Sequence, residues 1–217
     1  MLADTKYKII LVTSTMPGEG KTTIAVNLAQ SLSRNGAKVI LVDADLRKPS
    51  VKQALGVTKT SAGLNDALAL EDPATVIGML LEQQHGSLWL LAGDKAPQDT
   101  HQVDAPALRR VLDILSKDVD YIIVDTPPCG LLADSVNVAR AADCVLYVLG
   151  AGAVQIPYVL DSMQFLDEAG TPLLGCVLNG ISGGSHSGYG YGYGSYGYGY
   201  GYGGYGRERK PTAKGDQ

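Results

Sequence analysis

One Phe and one Trp are the only large aromatics without a hydroxyl among the 217 residues. A core made from this chain must therefore be aliphatic. With 45% hydrophobic residues there is enough Leu, Val, Ile and Ala to fill one. Cysteine is scarce as well. Cys129, Cys144 and Cys176 stand singly in or beside apolar runs. That pattern argues against a disulfide framework or a cysteine metal site and reads as small buried hydrophobes in a reducing compartment. His85, His101 and His186 lack metal-ligand spacing. No signal-peptide pattern opens the chain. The longest apolar stretch, Ala141 to Val154, is too short to cross a bilayer and contains Asp143. The expectation is a soluble, cytoplasmic protein that reaches the inner face of the membrane only through a partner. Positive charge is also lacking. Net charge is −4, and Arg207 to Gln217 contribute +2 of it, leaving the rest near −6. Nucleic acid requires a basic footprint, so it is not an expected partner.

A further absence is local. Between Gly188 and Gly206 there is no Val, Ile or Leu, only 8 Tyr, 10 Gly and 1 Ser. Ordering so much glycine is too costly without a core to offset it. The chain therefore divides into a folded domain, 1–182, and a disordered Gly/Tyr-rich tail, 183–217. The tail is a flexible tether carrying the phenols of Tyr189, Tyr191, Tyr193, Tyr196, Tyr198, Tyr200, Tyr202 and Tyr205.

Within the folded part, short apolar runs alternate with helical patterns. Strands are expected at 9–12, 39–42, 88–91, 121–124, 144–149 and 173–179. Helices are expected at 21–35, around 107–116 and at 157–169. Ile24, Leu28 and Leu32 would line one face of the first helix, and Asn35-Gly36 would stop it. The stretch from Gly93 to Gln102, polar and containing Pro97, reads as a surface loop. Runs apolar on both faces and separated by helices predict an α/β fold, a mostly parallel, doubly wound sheet. In such sheets ligands bind at the carboxyl ends of strands, so the polar residues ending each strand become the candidates.

After the first strand comes Thr15-Met16-Pro17-Gly18-Glu19-Gly20-Lys21-Thr22-Thr23, opening a helix. This is the context of a phosphate loop. Main-chain N–H groups from Pro17, Gly18, Glu19, Gly20, Lys21, Thr22 and Thr23 surround the phosphates, proline aside. Lys21 reaches the β and γ oxygens, and Thr22 offers a hydroxyl to Mg2+. Thr15 replaces the first glycine of the usual pattern. Gly18-x-Gly20-x-x-Thr23 also faintly resembles a dinucleotide fingerprint, but that reading fails at the third glycine and leaves Lys21-Thr22 unexplained. The second strand ends Asp43-Ala44-Asp45-Leu46-Arg47. Two carboxylates two residues apart would point the same way in an extended chain, serving Mg2+ and accepting a proton from an incoming hydroxyl. The fourth strand ends in Asp125, the usual carboxylate on the Mg2+ side of a phosphate-loop protein. The sixth ends in Asn179, which suits an adenine edge or, equally, a turn before Gly180. A phosphate loop and a tether of phenols on one chain point to a tyrosine kinase that modifies its own kind.

Residues 10–22, 40–47 and 122–127 together resemble the Walker A, Walker A′ and Walker B motifs of the bacterial tyrosine kinases (BY-kinases), which govern capsule and exopolysaccharide assembly. The resemblance covers nearly the whole chain, tyrosine cluster included. It implies a P-loop NTPase fold of the deviant-Walker, partition-ATPase-like kind, with ATP and Mg2+ as cofactors. It implies tail autophosphorylation in trans between associating subunits, activation by a membrane adaptor of the polysaccharide co-polymerase type, and a cognate tyrosine phosphatase. Carried onto matching positions, it puts Lys21 and Thr22 on nucleotide and metal, Asp43 near the acceptor tyrosine, and Asp45 and Asp125 around Mg2+. Two departures stand out. Only Met1 to Tyr7 precede the first strand, where the family usually carries a ring-building Glu-x-x-Arg-x-x-Arg helix. Asp94 to Asp99 replace the family's Asn-Pro-Ser-Glu-Leu stretch. The alternative is a partition- or division-type ATPase switch without kinase activity. Against it stand Met16, where those proteins usually carry a signature lysine, and the lack of a C-terminal amphipathic helix. In a third reading the Gly-Tyr tail only self-associates.

Overall fold

A computed structural model describes residues 7–58, 62–72, 74–80, 82–83, 86–94, 103–130 and 138–181. The chain divides into two units, Met1–Ser182 and Gly183–Gln217. The second, with all eight tail tyrosines, lies outside the described residues, as do 95–102 of the expected polar loop.

Seven strands form one sheet: β1 (Ile9–Ser14), β2 (Val39–Asp43), β3 (Glu82–Gln83), β4 (Leu88–Leu91), β5 (Tyr121–Asp125), β6 (Cys144–Gly150) and β7 (Leu173–Asn179). Their order is β3-β4-β2-β5-β1-β6-β7. The six strands expected from the sequence are the six parallel ones. The two-residue β3 runs antiparallel to β4 and is too short to leave a sequence signal. β1, β2 and β5 run on through Ser14, Asp43 and Asp125. The polar residues at their ends are therefore still part of the ladder, which fixes their backbones.

Both faces of the central strands are covered, as continuous apolar runs require. Ile9 and Leu11 of β1 join one cluster with Ile40, Val42, Ile122 and Val124. Ile10 and Val12 face the other way, with Leu41, Ile123 and Val148. The second cluster packs against α1 (Lys21–Arg34), whose buried residues are Ala25, Val26, Ala29 and Ser33. The expected stripe, Ile24, Leu28 and Leu32, is only half-buried at the margin of this contact. Small side chains let the helix lie close to the sheet, so the true buried face sits one residue further along. The first cluster takes Leu108, Val111, Leu112 and Leu115 from the helix Ala105–Leu115. That helix begins two residues before the expected position because the Asp104 side chain caps it by accepting from Ala107 N–H at 3.0 Å. Three short helices, α2 (Val51–Leu55), α3 (Leu64–Ala69) and α4 (Ala74–Leu80), make the Ala105–Leu115 helix α5. Their lengths fall below what periodicity can resolve. The last helix, α6 (Ile156–Glu168), precedes β7.

The sheet is not covered evenly to its edge. Leu173 and Leu178 of β7 are about half exposed, and so are Tyr158, Leu160 and Phe165 of α6. Cys129 and Cys144 are buried, as expected, but Cys176 on β7 is exposed; all three are free. No helix among the described residues is long and apolar enough to cross a membrane.

Candidate active site at the carboxyl ends of β1, β2 and β5

β1 is where the winding reverses. The chain leaves it toward β2 and β4 on one side and later returns to place β6 and β7 on the other. The crevice beyond its carboxyl end is the expected ligand position, and the loop 15–20 occupies it, leading into α1. Gly18 and Gly20 have φ of +89° and +92°. A Cβ on Gly20 would also fall on Asn179 Nδ2, so both conformation and contact demand glycine there.

The loop is tied down from beneath. Thr15, the residue in place of the first glycine, has its hydroxyl 2.9 Å from the Tyr147 hydroxyl in the core. A glycine could not make this bond. Glu19 is 3% exposed and turned inward, accepting from Met16 N–H at 2.6 Å and Gly150 N–H at 2.9 Å. Its carboxylate serves the loop rather than a phosphate. Asn179 donates to the Glu19 carbonyl at 2.9 Å. That bond makes it a prop of the loop, a third use beside the adenine contact and the turn.

The charged residues gather on the other flank. Thr22 donates to Asp125 Oδ2 at 2.7 Å. Lys21 Nζ lies 3.3 Å from Asp45 Oδ2, and both side chains are mostly buried. Asp45 Oδ1 also accepts from Lys48 N–H at 3.0 Å. β2 ends at Asp43, and the Asp43 and Asp45 carboxylates, near enough for Asp45 to help raise Asp43, take different partners. The Asp43 carboxylate instead folds onto main chain. Oδ2 accepts from Ser50 and Val51 N–H, each at 3.0 Å, and Oδ1 from Asp45 N–H at 3.3 Å. The polar loop expected from Gly93 begins buried. Gly93 packs on Asp43, where a Cβ would come 2.7 Å from the Asp43 carbonyl.

A cleft of about 380 Å³ opens above these groups. Pro17, Gly18, Gly20, Lys21, Thr22 and Thr23 line one side, and Asp45, Arg47, Lys48 and Ser50 face them, with Pro127 and Pro128. Asp43 and Asp125 lie just beneath this lining, both 0% exposed. Burial raises the Asp43 carboxyl to about 6 despite its three N–H donors. Burial likewise raises Asp125 to about 7, with Lys21 and Thr22 opposing the rise. Asp125 Oδ1 has no hydrogen-bond partner among the described residues.

A buried carboxylate oxygen without a partner is costly unless something completes it. Mg2+ fits. It takes hard oxygen ligands, and it is held by one or two carboxylates plus substrate phosphates rather than by a full protein cage. Among the described residues no three acidic, His or Cys side chains converge to form such a cage. Thr22, Asp125 and Asp45 are the oxygens on hand. Sequence reasoning missed Ser50, Glu19 as a strap, and the Thr15–Tyr147 bond. Ser50 had one visible signal, a serine immediately before an apolar helix start.

With this geometry in view, similarity to known proteins is specific. A family model described as "ParA: NUBPL iron-transfer P-loop NTPase" matches residues 5–184. "Tyrosine-protein kinase CpsD" of Streptococcus agalactiae serotype Ia is 33% identical over 81% of this chain and 75% of its own. The chain is a bacterial tyrosine-kinase family member on the ParA-type P-loop fold. Among solved structures, the kinase domain of Escherichia coli tyrosine kinase ETK superposes with a TM-score of 0.75 at 29% identity, covering 88% of this chain and 74% of that one. The septum site-determining protein MinD of Pyrococcus horikoshii OT3, solved with Mg-ADP, gives 0.68 at 26% identity, covering 79% and 69%. The BY-kinase and the division ATPase thus share this scaffold, and the fold implies nucleotide binding.

Proposed function

We propose that this chain is an ATP- and Mg2+-dependent protein tyrosine kinase. It passes a phosphoryl group to Tyr189, Tyr191, Tyr193, Tyr196, Tyr198, Tyr200, Tyr202 and Tyr205 of its own kind, in trans, and so regulates capsule or exopolysaccharide assembly. Family membership supports the kinase. The single observation that carries the chemistry is the cluster under the loop: Lys21 beside Asp45, and Thr22 on an Asp125 whose second oxygen has no partner. In this reading the loop N–H groups and Lys21 hold the phosphates. Thr22, Asp125 and Asp45 hold Mg2+, which neutralises charge on the β- and γ-oxygens when bound. Asp43 orients or deprotonates the phenol. Because Asp43 is buried behind Ser50, a phenol reaches it only if the segment from Asp45 to Ser50 moves aside. Asn179 remains the candidate contact to the base through its carbonyl oxygen, its amide being given to the loop. A membrane adaptor recruits and activates the chain, and a tyrosine phosphatase reverses the modification.

The experiment is intact mass after incubation with Mg-ATP, followed by mapping of the tail. Steps of one phosphate on residues 183–217 are expected. ADP release without mass gain would favour the ATPase switch instead. Mixing a Lys21→Met chain bearing its tail with an active chain lacking 183–217 tests transfer in trans. The inactive chain should gain phosphate.

A further inference from the structure

Ser50 is the N-cap residue of α2, and serine is among the residues best suited to cap a helix with its own hydroxyl. Here the hydroxyl makes no capping bond. The helix start is satisfied instead by the Asp43 carboxylate, which accepts from the N–H groups of Ser50 and Val51. The freed Ser50 hydroxyl lies 2.9 Å from the Thr22 hydroxyl, 28 residues away in sequence, and lines the cleft. Thr22 gives its one proton to Asp125. Ser50 must then be the donor in the bond between the two hydroxyls. A hydroxyl oxygen has one proton and two lone pairs. With the proton on Asp125 and one lone pair on Ser50, Thr22 keeps a single lone pair whose direction is fixed.

From this geometry we infer that Ser50 is a positioning residue, acting through its side chain on the metal-side hydroxyl of Thr22 and through its main chain on the acceptor-side carboxylate of Asp43. It sets the free lone pair of Thr22 for Mg2+ and keeps Asp43 in register with it. The inference rests on the nucleotide-binding part of the proposed function and not on the identity of the phosphate acceptor. Asp45 makes a second link between the two, its N–H on Asp43 and its carboxylate beside Lys21, but only Ser50 reaches the Thr22 hydroxyl.

The test uses the full chain with Ser50→Ala and Ser50→Thr, and a fluorescent ADP analogue titrated with and without Mg2+. Ser50→Ala keeps both N–H donors to Asp43, so its effect isolates the hydroxyl. Affinity in EDTA should stay within about twofold, while the Mg2+ concentration giving half of the metal-dependent gain rises about three- to tenfold, the range of one hydrogen bond. Ser50→Thr should restore it. In a Thr22→Ala background, Ser50→Ala should add nothing, because the oxygen it orients is gone. An unchanged Mg2+ titration, an equal loss with and without Mg2+, additive effects of the two substitutions, or a folded Ser50→Thr that fails to rescue would each overturn the inference. A wild-type chain that binds Mg-ADP but phosphorylates no tyrosine would refute the kinase reading and leave the Ser50 result standing.

Discussion

The two flanks of the phosphate loop differ in kind. On the β2–β5 side, Asp43, Asp45 and Asp125 are buried next to Lys21, Thr22 and Ser50, and two carboxyls are pushed well above their ordinary value. On the β6–β7 side, the loop meets Gly150 N–H and Asn179, neither charged, and beyond them the surface turns apolar and exposed at Tyr158, Leu160, Phe165 and Leu178. One flank gathers three carboxyls beside Lys21, and the other uses a single buried carboxylate, Glu19, to hold the loop. The chemistry proposed for the first flank and the loop attachment on the second are therefore separable. Substitutions on the first flank should change chemistry more than folding, and those on the second the reverse.

The largest effect expected is Lys21→Met. Removing the ammonium that pairs with Asp45 should lower nucleotide-dependent phosphorylation by at least about a hundredfold while the chain still folds, read by phosphotyrosine assay and thermal unfolding. Wild-type activity would dissolve the charged flank as a functional unit.

Next come the two buried carboxylates, which should part company. Asp43→Asn should cut transfer about a hundredfold while nucleotide affinity moves less than about threefold. Asp125→Asn should instead weaken the response to Mg2+. Asp125→Asn has a second signature. The folded chain holds the Asp125 proton up to about 7 and the unfolded chain only to about 3.8. Between those values the folded state binds more protons, so this group's contribution to stability falls as pH rises and levels off above about 7. The variant lacks that loss. Without nucleotide it should gain stability on wild type progressively from pH 4 to pH 7, by thermal unfolding. A difference that is flat with pH would show that Asp125 is not the strained group. Identical nucleotide losses in both variants would erase the distinction between them.

Smaller effects belong to the attachment flank. Glu19→Gln keeps the shape but replaces one accepting oxygen with a donor facing an N–H. It should cost about 1–3 kcal/mol of stability and weaken nucleotide binding with and without Mg2+ alike. Gly20→Ala should cost more, since φ of +92° and Asn179 both oppose it. The smallest effect is Leu160→Lys on the exposed face of α6, expected to move stability by less than about 0.5 kcal/mol and activity not at all. A loss as large as that of Glu19→Gln would show that this margin is not free surface.

The sequence made much of this legible, and its failures have physical causes. Five of the six parallel strands were readable because a strand buried on both faces leaves an unbroken apolar run; the sixth, β7, is apolar in sequence though largely uncovered. That Lys21, Thr22 and Asp125 come together was readable because a glycine-rich turn between strand and helix and a buried strand ending in Asp both leave plain marks in sequence. The stripe on α1 was misplaced because Ala25 and Ala29 pack closely without looking hydrophobic, while Leu28 does. The separate partners of Asp43 and Asp45 were not readable, because the chain leaves the strand after Asp43 and tertiary contacts decide them. Glu19 and Ser50 could not be assigned, since their partners Gly150 and Thr22 are brought near by tertiary structure, 131 and 28 residues away.

The central position of β1 also orders events in time. Its register partners begin at Ile122 on one side and Cys144 on the other, and the loop that follows it is propped by Gly150 and Asn179. During synthesis the phosphate loop is made more than a hundred residues before its props, Gly150 and Asn179. Until β5 and β6 are made, β1 is an aliphatic run without its ladder partners, and the loop after it lacks its props. Closing these contacts over more than a hundred residues is slow compared with forming a helix. Nucleotide arriving early meets no site. β7 is the last described strand to be made, so the Asn179 prop is the last of these contacts to close.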